Sequence, residues 1–579
     1  MQDKTLYKRI LDQIHRWLTT ESTISNSLAV LIGISTGFVI VIYDRLLEAS
    51  NHIFFGSVAG HPHYYVIFLP ALGGLLVGII TYIFVKRTRC DVEEVIEASA
   101  LHGGKLRVKK AFLEVLLSII SIGSGGSVGK EVPGVLAGAG IGSAIAQTFR
   151  ISGNRLKVLL GCGASGGIAA AFNAPLAGVV FVVEVIFGEL ETKTFIPIVI
   201  SSVFATLVSN FIFGIKPIEI NYGLVSPFNE SLLYLTLGIL AGIVSVSIIR
   251  FLYLLHDVFE RIPVHSVFKP ALGGLGVGII GFLYPQIFGM GYDVISEVLT
   301  NKLALNLMLV LLLLKIIAFS LTLGSGGAGG SIVPSLFIGA MLGGAFGTVV
   351  HTFLPIVTSE PGAYALVGMG AVFTGTARAP LTAILILFEV TMDYNLILPL
   401  MLACVISNVV SSSLHPQSIF TEGLKRRGFT ISKGHEVDIM ESMFVRDVME
   451  SNVQTISENE STGALVLLIQ TSRHAGFPVL DADNRLVGIV TLQDVRDKVK
   501  YGELERKVGD IASRDPIVAY PDESLDIVLK RFALRDIGRL PVVSRVDEKK
   551  LLGVITRSDI VKSYNKKVVS MVHEKMEAE

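Results

Sequence analysis

The chain has 579 residues, carries no net formal charge, and is 51% hydrophobic with only 17% charged residues. Mean hydropathy is +0.63; soluble domains usually carry about 25% charged residues, so a simple soluble protein is excluded, and the balanced charge gives no footprint for nucleic acid. The 12 histidines are dispersed and the three cysteines (Cys90, Cys162, Cys404) have no paired spacing, so neither a metal cluster, a disulfide framework nor an enzyme is expected.

Residues 1–22 read as an amphipathic cytoplasmic helix, with Lys4, Lys8, Arg9 and Arg16 ahead of the first apolar span. Residues 23–420 are poor in charge. A bilayer span takes about 20 apolar residues, and spans are expected at 27–47, 64–85, 195–213, 232–255 and 303–323. Between them lie shorter apolar stretches broken by glycine and proline, at 123–150, 161–188, 324–350 and 366–390. Such broken helices are tolerated in a bilayer where their ends are buried or line a wet cavity.

The breaks repeat. Residues 123–133 read GSGGSVGKEVP and residues 324–334 read GSGGAGGSIVP. Downstream, 161–184 read GCGASGGIAAAFNAPLAGVVFVVE and 368–389 read GMGAVFTGTARAPLTAILILFE, pairing Pro175 with Pro380 and Glu184 with Glu389. These are two halves of about 200 residues each, an arrangement that flanks a substrate site near the bilayer midplane.

A glycine-rich turn that opens a helix leaves backbone N–H groups unpaired and aimed at one point, where the helix dipole adds partial positive charge. It holds an anion without a full fixed charge, weakly enough for release. Candidate anion contacts are therefore Gly129, Lys130, Glu131 and Val132 at one start, and Ser331 and Ile332 at the other. Glu131 is an ionisable residue at membrane depth, a functional candidate by default. Its carboxylate is itself an anion, fit to occupy the ion's seat and to leave on protonation. The plainer alternative is an acid that complements the helix dipole.

These motifs, with GASGGIAAAFNAPLAG and RAPLTAILILFEVTMDYNLILP in order, resemble the CLC family of chloride channels and chloride/proton antiporters over residues 24–425. The resemblance implies an α-helical polytopic membrane protein built of two inverted repeats of broken helices. It implies a homodimer in a plasma or inner membrane, one pore per subunit, both termini cytoplasmic, with chloride and in antiporters also protons as cargo. It puts the family's gating glutamate on Glu131, the second anion turn on 330–334 and the central tyrosine on Phe420, which lacks the hydroxyl. The family's first anion motif falls on 89–93, where Cys90 replaces the usual contact and Asp91 and Glu93 stand beside it. That loop either repels anions at the inner mouth or lies outside the pathway. The inner proton glutamate of antiporters falls on Val185, and Glu184 before it reads as a buried acid satisfied by backbone amides or by Arg378. The leading reading is a gated chloride channel or weakly coupled transporter. Its alternatives are an antiporter lacking the inner acid, with a water path in its place, and a non-conducting nucleotide-sensing membrane receptor.

A linker at 421–440, with Lys425, Arg426 and Arg427, leads to two copies of a β-rich module at 441–500 and 508–567, then a tail at 568–579. The copies end alike, GIVTLQDV at 488–495 and GVITRSDI at 553–560, and resemble a tandem pair of α/β CBS domains. The resemblance implies an adenine nucleotide (ATP, ADP or AMP) between them, met by the hydroxyls of Thr491 and Thr556 and the carboxylates of Asp494 and Asp559. The same residues also suit plain helix capping. Transport itself requires no cofactor in this reading.

Overall fold

The computed structural model describes residues 21–56, 63–84, 92–188, 192–214, 230–427, 429, 440, 443–472, 474–499, 504–535 and 537–566. Residues 1–20 of the expected N-terminal helix, Cys90 with Asp91, most of the linker and the tail at 568–579 lie outside the described residues. The chain divides into two compact units, the first holding residues 1–426 and the second nearly everything after.

The first unit is all helical. Its first half runs α1 (Glu21–Gly56), α2 (Leu69–Phe84), α3 (Val92–Leu101), α4 (Val108–Gly123), α5 (Glu131–Thr148), α6 (Asn154–Phe172), α7 (Pro175–Phe181) and α8 (Thr192–Phe213). Its second half repeats the order as α9 (Ser231–Arg261), α10 (Lys269–Leu283), α11 (Tyr292–Leu299), α12 (Leu305–Gly324), α13 (Ile332–Phe353), α14 (Pro361–Ala377), α15 (Pro380–Thr391) and α16 (Ile397–Leu414). A short α17 (Glu422–Arg426) closes the unit. Among the described residues, nine helices are long and apolar enough to cross a membrane.

Two of these were not expected from hydropathy, α10 and α16. Glycines dilute the apolar signal of α10, KPALGGLGVGIIGFL. A stronger signal was present: PALGGL stands at 70–75 and again at 270–275. The first expected span also proves short, because α1 extends past it at both ends to Glu21 and Gly56.

The halves are related by an approximate two-fold axis. A Cβ at Gly74 would overlap the Pro270 carbonyl, and one at Gly274 the Pro70 carbonyl. Gly78 lies in the same way against Val267, and Gly278 against Ile67. Rising residue numbers on α2 meet falling ones on α10, so the helices run antiparallel and the axis is perpendicular to both. For spanning helices that axis lies in the membrane plane, which is the inverted repeat. The same exchange recurs at α7 and α15. Glu184 accepts from the Leu381 and Thr382 amides at 3.1 and 2.9 Å. Glu389 accepts from the Leu176 and Ala177 amides at 2.9 and 2.8 Å. Each proline-opened helix thus has its unpaired first amides satisfied by a carboxylate from the other half.

Glycine sets the depth of the packing. On α5 and α6, Gly138 and Gly163 face each other so closely that a Cβ on either would overlap the other's carbonyl. Gly339 and Gly368 repeat the contact between α13 and α14. Small residues of this kind let membrane helices touch backbone to backbone, and here they fix where α5 and α13 begin.

The second unit holds two small α/β modules. In the first, β2 (Gly476–Leu480) pairs in parallel with β1 (Ile456–Ser457) and antiparallel with β3 (Leu486–Thr491), which meets β4 (Ser513–Arg514). In the second, β5 (Arg539–Val543) pairs antiparallel with β6 (Leu551–Thr556). Register shifts fall at matching places, Val479/Leu480 and Val542/Val543. Phe477, Val479 and Val490 fill one core, and Phe532, Leu540, Val542 and Ile555 the other.

Candidate functional site

The two glycine-rich turns meet. The Gly129 amide donates to the Gly330 carbonyl at 2.8 Å, and the Gly330 amide donates to the Gly129 carbonyl at 2.7 Å. This corrects one sequence expectation. The Gly129 amide is committed to the opposite turn and is no anion donor. The amides of Lys130, Glu131 and Val132, and of Ser331, Ile332 and Val333, have no backbone acceptor among the described residues. Pro133 and Pro334 follow, with no N–H to satisfy. Six amides without a backbone acceptor therefore belong to two helix starts bonded edge to edge, and among them the Glu131 amide faces its own carboxylate. Val132, Ser331 and Ile332 are all buried there.

The Glu131 carboxylate lies at this junction and is fully buried. Its Oε1 accepts from the Tyr292 hydroxyl at 2.8 Å. Its Oε2 has no hydrogen-bond partner from another residue among those described. Oε2 rests over Gly129, where a Cβ would overlap it and come within 3.2 Å of Val333 Cβ and 3.4 Å of Pro334 Cδ. Lys130 does not share the seat: its Nζ is paired with Asp44 Oδ1 of α1 at 2.7 Å. The ammonium is thus turned to α1, and only the Lys130 amide remains at the site.

Phe420 is buried, its ring meeting Phe181 edge-on with centroids 6.4 Å apart. Glu93 is not a bare charge at a mouth. Its Oε1 accepts from the Tyr253 hydroxyl at 3.0 Å and from the Gly423 amide at 3.1 Å, so it caps α17 just beyond Phe420. Cys90 lies outside the described residues. Glu184 is bound by amides and by the Thr382 hydroxyl, at 2.8 Å. Arg378 turns elsewhere, donating to the Gly375 carbonyl, the Ser411 hydroxyl and the His415 carbonyl. Val185 is buried inside a π-helical turn at Val182–Phe187 that continues α7.

Two residues at or near the site escaped the sequence reading. Tyr292 is one, and Lys315, on α12, is the other. Lys315 is fully buried and donates to the carbonyls of Ile287 and Gly289, at 3.1 and 2.9 Å. No carboxylate pairs with it among the described residues. A lysine inside LVLLLLKIIAFSL was the available signal, since an ionisable residue within a span is a candidate by default.

In the second unit, Asp494 Oδ2 accepts from the Thr491 amide and hydroxyl at 2.9 and 2.7 Å, and Lys498 reaches Oδ1 at 2.9 Å. Burial would lift this carboxyl, but the Lys498 ammonium and the Thr491 hydroxyl and amide hold it below the ordinary carboxylate range. Thr556 and Asp559 form the same box, at 3.0 and 2.6 Å, through Oδ2, and no partner of Asp559 Oδ1 is found among the described residues. All four residues cap helices, as the plainer reading of them expects.

Comparison with known proteins decides the family. The family model for the voltage gated chloride channel matches residues 82–412. The chain belongs to the CLC chloride channel family. CBS domain models match residues 445–501 and 508–566, so a tandem CBS pair follows the membrane unit. A ClcB-like protein of Ralstonia nicotianae is 35% identical, over 62% of this chain and 85% of that one. The chloride channel protein CLC-f of Arabidopsis thaliana is 29% identical over 85% of this chain and 72% of its own length. Among solved structures, a slow cyanobacterial chloride/proton antiporter superposes with TM-score 0.63 at 25% identity, covering 70% of this chain and 97% of the other. This is a membrane protein of a family that transports chloride, by channel or by chloride/proton antiport.

Proposed function

We propose that this CLC protein is a gated chloride pathway, a channel or weakly coupled transporter, with Glu131 as its protonatable plug. The carrying observation is the Glu131 carboxylate lodged where two helix starts, their first amides without backbone acceptors, are bonded together. Chloride competes for that seat, and protonation of Glu131 removes the competing charge. Val185 leaves no acid at the usual inner proton position, which favours the channel over the antiporter. The proposal includes a homodimer with cytoplasmic termini, the latter supported by Lys425, Arg426 and Arg427 just past the last span.

The test is the reversal potential of purified protein in a planar bilayer. With a tenfold chloride gradient it should sit at about 59 mV, the value for one elementary charge. A superimposed pH gradient should leave it unmoved. A shift with pH establishes coupling to protons, and the absence of any anion current leaves only the receptor reading.

The CBS pair is proposed to regulate this pathway by binding an adenine nucleotide. Asp494 is held by Lys498, whereas Asp559 Oδ1, with no partner among the described residues, is open to a ribose hydroxyl. Asp559→Ala should weaken ATP or ADP binding to the full chain about tenfold, the size of one charged hydrogen bond. Calorimetric titration reads this directly, and Asp494→Ala should have the smaller effect.

A further inference from the structure

Glu131 is held at one oxygen by a hydroxyl and given room for the other by a glycine. Tyr292 opens α11, directly after Gly291, whose φ of 81° lies in the left-handed region. The strap before it, Ile287 to Gly291, is pinned to both halves of the repeat. The Ile287 carbonyl accepts from Ser127 Oγ at 2.8 Å, on the very turn that carries Glu131. It also accepts from Lys315 Nζ of the other half. Lys315 takes the Gly289 carbonyl as well, and its ammonium stands 4.7 Å from the centre of the Phe337 ring. A Cβ on Gly291 would come within 2.7 Å of that same ring. The Tyr292 hydroxyl is therefore presented to Glu131 Oε1 by a strap with little freedom to withdraw.

The second oxygen is seated by an absence. Gly129 does not have a positive φ, so its backbone would accept alanine. What the missing Cβ keeps open is the space occupied by Glu131 Oε2.

We propose that Tyr292 is the latch of the Glu131 gate, acting as a positioning residue: its hydroxyl holds the carboxylate in the closed seat over Gly129, from a strap fixed by Ser127 and Lys315. A hydroxyl binds an ionised carboxylate roughly twice as strongly as a neutral acceptor. Protonation of Glu131 thus loosens the latch at the same moment that it removes the charge. The proposal rests on Glu131 being the gate, and the test separates the two.

Chloride efflux from liposomes is measured for wild type, Tyr292→Phe, Glu131→Ala and the double variant. Tyr292→Phe keeps the ring and removes one oxygen. Its efflux should rise roughly tenfold, the value of one charged hydrogen bond. In the Glu131→Ala background, where nothing remains to be held, the same change should do nothing. A purely structural role for Tyr292 would alter both backgrounds alike. Gly129→Ala crowds the seat from the other side and should also raise efflux, with no effect once Glu131 is alanine. The latch is overturned if both variants leave wild-type efflux unchanged, or if either acts equally without Glu131. If Glu131→Ala itself matches wild type, the gate reading falls and the latch with it.

Discussion

Glu131→Gln should raise chloride flux through the reconstituted protein by about tenfold or more near pH 7, and flatten its pH dependence. Each 1.4 kcal/mol removed from the closed state is worth a factor of about ten. In the native chain the carboxylate occupies the junction of α5 and α13 and is held there by Tyr292. Its negative charge is what the first amides on both starts attract. Glutamine keeps the shape and cancels the charge, so chloride no longer competes with an attached anion. Wild-type flux should climb as pH falls and Glu131 takes up a proton, while the glutamine variant should hold one level throughout. Efflux recorded across a pH series on both proteins checks this. A pH profile that survives the substitution would falsify the gate.

The other large effect belongs to packing. Gly163→Leu should abolish the folded membrane unit. Helices α5 and α6 touch at Gly138 and Gly163, each without room for the other's Cβ. A leucine must insert four carbons there, and the helices can admit them only by separating. That separation would pull Glu131 from Tyr292 and break the bridge between Gly129 and Gly330. The cost should exceed about 4 kcal/mol, the range reserved for gross overpacking and lost networks. Size-exclusion chromatography in mild detergent should show aggregate in place of a single peak. Gly163→Ala, with one carbon to place, should retain the peak at a lower melting temperature.

Much of this architecture could be read in advance, because glycine and proline mark broken helices whether or not a partner is known. The paired GSGG turns, Pro175 with Pro380 and Glu184 with Glu389 are all local patterns; the turns and prolines mark helix ends, and each glutamate binds a helix start in the other half. What could not be read was which side chain answers which. Tyr292 meets Glu131 across 161 positions, and Lys130 meets Asp44 across 86. Nothing periodic links such residues. The Gly129 amide looked free because a turn's own sequence does not show that a second turn bonds to it. The spans α10 and α16 are a different case. For α10 the repeated PALGGL was there to be read behind glycines that lower its hydropathy, whereas α16 is about as apolar as the expected α1 and α8 and was simply passed over.

The crossed carboxylates, Glu184 on the start of α15 and Glu389 on the start of α7, carry a historical consequence. Reciprocal contacts are the signature of two identical partners about a two-fold axis. A half-length ancestor inserted in both orientations would close on a second copy in just this way. In such a pair, an acid at one helix start is an acid at both, and two like charges would share one seat. In one chain the equivalent positions need not match, and here they hold Glu131 and Ile332. The cradle keeps the symmetry of the repeat, and the difference at this one position leaves it a single occupant.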